Sequence, residues 1–67
     1  MTADYESAFR WACRAFYQDP DGTAGAAAQT VVGMLATRLR RRGWTEDRIA
    51  EAMHEELVRV TGERRVA

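Results

Sequence analysis

The sequence predicts an all-α fold, a small three-helix bundle with helices over about residues 4–18, 24–42 and 46–61. Three observations predict it. Apolar residues recur at three-and-four spacing through each segment, the period of one helical face. The turn Asp19-Pro20-Asp21-Gly22 separates the first two segments. The tight corner Gly43-Trp44-Thr45 joins the last two, and there independent local signals agree.

In the first helix, Tyr5, Ala8, Phe9, Ala12, Cys13 and Phe16 share one face. Glu6, Arg10, Arg14 and Gln18 are expected on the other, with Glu6 four residues before Arg10 in the favourable order for an ion pair. Pro20 cannot continue the hydrogen-bond ladder and drives the preceding residue out of helical geometry. Thr23 reads as the N-cap of the second helix, whose stripe is Ala24, Ala27, Ala28, Val31, Val32, Leu35 and Leu39. Gly25 and Gly33 each cost roughly 1 kcal/mol relative to alanine in a helix interior, which points to fraying or to close approach by another helix. Arg38, Arg40, Arg41 and Arg42 crowd the helix end, where positive charge suits the dipole.

At the corner, Gly43 suits the left-handed residue of a Schellman ending, with Trp44 next to it and able to touch Leu39. Read forward, Thr45 is the N-cap of the third helix, and Trp44 and Ile49 have the spacing of a hydrophobic staple. Ile49, Ala52, Met53, Leu57 and Val60 are expected inward, Gly62 as the stop, and residues 63–67 as a frayed tail.

With 67 residues the chain has room for one domain and one core. Domains this small are usually stapled by disulfides, a metal or a partner. Cys13 is the only cysteine, and no cysteine–histidine cluster makes a zinc site, so oligomerisation is the staple that remains. Formal net charge is zero, so no global field draws in nucleic acid or an anionic membrane. No stretch approaches the roughly 20 apolar residues of a membrane span, and the N-terminus is acidic, unlike a signal peptide. A cytoplasmic location is therefore expected.

Arg42-Gly43-Trp44-Thr45-Glu46-Asp47-Arg48-Ile49-Ala50-Glu51-Ala52-Met53 resembles the approach to, and first helix of, a helix-turn-helix repressor. That family turns at a glycine four residues after the alanine matching Ala50, where this chain has His54. A recognition helix would also begin with Glu55 and Glu56, which phosphates repel. The corner therefore reads as an ordinary capped helical hairpin.

Other motifs are weaker. Glu51-Ala52-Met53-His54 has the Glu-x-x-His spacing of carboxylate di-iron bundles, in which Glu6 would complete a half-site in a dimer, but it lies on a polar face. Asp19-Pro20-Asp21-Gly22 would place Tyr17 and Ala28 at obligatory calcium-ligand positions of an EF-hand, which excludes one. Cys13 sits in the apolar stripe as a small hydrophobe, and His54 has no serine or cysteine partner. No cofactor, metal or catalytic residue is expected.

Three residues depart from the pattern. Trp11 lies off the helix-one stripe, Val58 points away from the helix-three core, and Glu56 intrudes among its inward residues. A carboxylate in an apolar stripe needs an arginine partner, from this chain or a neighbour. Tryptophan and arginine are enriched at interface hot spots. The sequence thus points to a non-enzymatic helical interaction module, an adaptor, accessory subunit or inhibitor of a larger protein that self-associates as a dimer. Its expected partner-binding residues are Trp11, Arg14, Arg38, Arg41, Arg42 and Glu56. The alternative is a DNA- or RNA-binding regulator using the arginine-rich end of helix two.

Overall fold

A computed structural model of the chain describes residues 4–66, and its regular structure there is entirely helical. The elements are α1, Tyr5–Gln18, α2, Thr23–Arg41, and α3, Glu46–Val66. The three-helix all-α architecture is the one expected. α1 packs against both other helices, while α2 and α3 touch each other little. They therefore diverge from their shared corner. The radius of gyration, 12.1 Å, slightly exceeds the roughly 11 Å of a close-packed domain this long.

Asp4 caps α1, its carboxylate accepting from the Ser7 backbone N–H at 3.1 Å and from the Ser7 hydroxyl at 2.6 Å. These bonds hold the Asp4 carboxyl below its ordinary range. The start of α2 differs from expectation: the cap is Gly22, without a side-chain bond, and Thr23 is already helical. The physical reason lies in the turn. Gly25 is buried, and a Cβ there would collide with the Asp19 carbonyl oxygen. The close approach that Gly25 permits thus comes from the turn's backbone.

That contact also rotates the buried face of α2. Gly25, Ala28, Ala36 and Leu39 are buried and Val32 and Leu35 half-buried, whereas Ala24, Ala27 and Val31 face solvent. The core comprises Phe9, Cys13, Ala36, Leu39, Ile49 and Ala52, flanked by Tyr5, Tyr17, Trp44 and Met53 among others.

The corner has the expected chemistry. Gly43 takes φ +100°, the Trp44 N–H donates to the Leu39 carbonyl at 3.1 Å and the Gly43 N–H to Arg40 at 3.0 Å, the two bonds of a Schellman ending. Thr45 Oγ1 accepts from the Arg48 N–H at 3.1 Å, capping α3. The Arg48 guanidinium stacks 3.9 Å from the Trp44 ring centroid. Trp44 is thereby held by the ends of two helices.

α3 departs from expectation at its far end. It runs straight through His54 and Gly62, so residues 63–66 are helical, and Ala67 lies outside the described residues. The uninterrupted helix leaves no turn at His54 for a helix-turn-helix reader. Beyond Gly62, Arg64 donates to the carbonyls of Tyr17, at 3.2 Å, and Gln18, at 2.9 Å. The last turn of α1 has no basic residue of its own. Arg64 supplies a cation to its exposed carbonyls from another helix, which gives α3 a tertiary reason to continue.

Candidate interaction surfaces

The side of α3 facing α1 is built around a charge. Ile49, Ala52, Glu56 and Val60 are its buried residues, and Glu56 is 0% exposed. Leu57, expected inward, is 41% exposed instead, because Glu56 occupies the centre of the packed face and Leu57 is displaced round the helix. Arg10 Nη1 donates to Glu56 Oε2 at 3.2 Å and Arg14 Nε to Glu56 Oε1 at 3.0 Å, so both oxygens are engaged. Arg59 approaches at 3.9 Å. Arg10 also donates to Glu6, at 3.2 Å, and to Glu55, at 3.4 Å. Arg10 and Arg14 thus turn towards α3, where the sequence places them with Glu6 on an outer face. A buried charge is tolerated only when paired, and here the pairing fixes how α3 sits on α1.

Among the expected partner-binding residues, Arg14 and Glu56 therefore meet each other inside the chain. The arginine end of α2 is divided among intramolecular contacts. Arg40 pairs with Glu46 across the corner, one of its bonds measuring 3.2 Å. Arg38 and Arg42 lie over the Tyr5 ring, 5.7 and 4.4 Å from its centroid. Arg41 has no ion pair among the described residues, and it borders a shallow depression with Met34, Thr37 and Arg38. Among the described residues only Arg40 of the four is neutralised by a carboxylate, while Arg38 and Arg42 keep their charge over Tyr5.

Trp11 is 67% exposed. It lies two residues from both Phe9 and Cys13, which puts it on the opposite side of α1 from the core. Val58 and Met34 are also more than half exposed. These residues are scattered over three helices, Met34 at one shallow depression and Val58 at another.

On the open side, between the diverging α2 and α3, lies a cavity of about 330 Å³. Cys13, Phe16 and Tyr17 of α1 form its floor, Gln29, Val32 and Gly33 one wall and Met53 the other. Leu57 follows Met53 by one turn and borders a second depression with Val58 and Thr61. Sequence reasoning missed this cleft. The signal for it was Gly33, a helix-breaking residue with no turn to make and nothing within 4 Å of where its Cβ would be.

Burial, reinforced by the Glu56 charge, pushes the Cys13 thiol up to about 11, so at neutral pH it is a protonated apolar group and no nucleophile. Tyr17 is raised by the same burial. Glu51 and His54 are both exposed, Glu6 is bonded to Arg10, and among the described residues no three His, Cys, Asp or Glu side chains are arranged to hold a metal. No helix among the described residues is long and apolar enough to cross a membrane. Comparisons of the chain with protein-family models, with curated proteins and with solved structures find no match.

Proposed function

We propose that this chain is a non-enzymatic helical interaction module, an adaptor, accessory subunit or inhibitor that occupies a surface on a larger protein and also self-associates. The observation that carries the reading is Trp11. A tryptophan held in solvent on the back of α1 contributes nothing to the core, and such a side chain is the type that anchors protein interfaces. Arg41, free of an ion pair among the described residues, and Arg38 and Arg42, splayed over Tyr5, are a separate set of exposed cations open to polar contacts with a partner. Arg14 and Glu56 act within the chain and set the angle at which α1 presents Trp11.

Affinity capture from the cells that produce the protein tests this, comparing wild type with Trp11→Ala. The expected result is one discrete partner retained by wild type and lost with the variant, whose circular dichroism is unchanged. Identical capture profiles for the two proteins would contradict the reading.

A further inference from the structure

We infer that the cleft between α2 and α3 is the seat of a second copy of this chain, whose α2 lies antiparallel along the first. The inference rests on the self-association in the reading above and gives it a surface. The cavity is open, and five of its lining residues, Cys13, Phe16, Tyr17, Val32 and Met53, present mainly carbon or sulfur to it. Leu57, one turn beyond Met53 on α3, is 41% exposed and adds apolar surface past the end of the cleft. An open apolar cleft between two diverging helices is the kind of groove that the apolar face of another helix fills.

Gly33 stands near the middle of α2, and a Cβ there would meet nothing within 4 Å. Inside the chain, alanine would serve better at this position, since glycine costs roughly 1 kcal/mol in a helix interior. The missing side chain matters only to something arriving from outside. Ala26, Thr30 and Thr37 lie on the same side of α2 as Gly33, are small and are exposed, so a second backbone can come close.

Charge chooses the occupant and its direction. α2 carries Arg38, Arg40 and Arg41 at its end, followed by Arg42, and has no acidic residue. The turn before it carries Asp19 and Asp21, both exposed and without ion pairs among the described residues. A second α2 laid antiparallel brings each basic end to the other copy's acidic turn, twice over, as a two-fold interface requires. A parallel arrangement would set arginine against arginine. With the two-fold axis at Gly33, Arg41 falls opposite Gly25 of the other copy. Gly25 packs on the Asp19 backbone, and Asp21 is one helical turn away, roughly 6 Å, within an arginine's reach.

Sedimentation velocity across the micromolar range, with circular dichroism as the check on folding, tests the inference. Wild type is expected to dimerise. Gly33→Leu starts from a Cβ with nothing within 4 Å and directs its branched end into the open cleft, so it should be monomeric with full helicity. Asp21→Arg and Arg41→Glu should each weaken the dimer roughly tenfold, and the two combined should restore it. If wild type dimerises but Gly33→Leu dimerises equally well, or if the charge reversals fail to compensate, the cleft assignment is overturned while self-association stands. If wild type remains monomeric at high micromolar concentration, self-association and the cleft assignment both fall, and only the Trp11 reading is left.

Discussion

The two sides of α3 make opposite use of their residues. Towards α1 it presents a carboxylate, and the seam is closed: Glu56 is fully buried and both its oxygens are occupied by arginines. Towards α2 it presents Met53, and the seam is open, with a cavity between the helices. Buried charge is confined to the seam that can pair it, and apolar surface is left on the seam that does not close. Polar complementarity thus orients the helices, while the unused hydrophobic surface remains for association.

Breaking the closed seam is expected to have the largest effect. Arg10→Ala/Arg14→Ala leaves the Glu56 carboxylate buried with only the 3.9 Å approach of Arg59, and should cost roughly 3–5 kcal/mol in urea unfolding. Glu56→Leu removes the buried charge and leaves two arginines that can reach water, so it should cost less. The reverse order would show that Glu56 is not the group at stake.

The floor of the cleft gives the next effect. The folded chain holds the Cys13 proton up to about 11, while the unfolded chain releases it near the ordinary 9.0. Between those values the unfolded state binds fewer protons, so stability is full below about pH 9 and falls as pH rises, by roughly 2–3 kcal/mol. Tyr17, also raised, adds in the same direction. Cys13→Ala should flatten most of this fall in denaturation midpoints measured against pH, and an unchanged slope would remove burial of the thiol as its cause.

The two glycines of α2 sharpen the contrast. Gly25→Ala drives a methyl into the Asp19 carbonyl and is expected to destabilise by roughly 1–3 kcal/mol. Gly33→Ala places its methyl in the open cleft, so at a dilution where only monomer is present it should stabilise by up to about 1 kcal/mol. Thermal melts of the two variants should therefore shift in opposite directions. The smallest effect belongs to Arg64→Ala, expected to lower stability by about 0.5–1 kcal/mol through the uncovered carbonyls at the end of α1.

What could be read from the sequence was local. Gly43, Trp44 and Thr45 are specified by neighbours within six residues, and each of their predicted bonds is present. The need of Glu56 for arginine was also legible, because a carboxylate in an apolar stripe is costly wherever it sits. Its actual partners lie 42 and 46 residues away and depend on how α1 is rotated, which no local spacing reveals. The same applies to the end of α3. Gly62 is a sound stop signal, overridden by a bond from Arg64 to a helix end that only the tertiary fold brings near. Leu57 and the stripe of α2 were misplaced for related reasons, since Glu56 and the Gly25 contact rotate the helices about their axes.

A dilution series of amide NMR spectra compares the two seams directly. Residues lining the open side, Gln29, Val32, Gly33 and Met53, should shift with concentration, while the amides of Arg10, Arg14 and Glu56 stay fixed. Concentration-dependent shifts clustered round Trp11 with the cleft unmoved would contradict the assignment of the open seam to self-association.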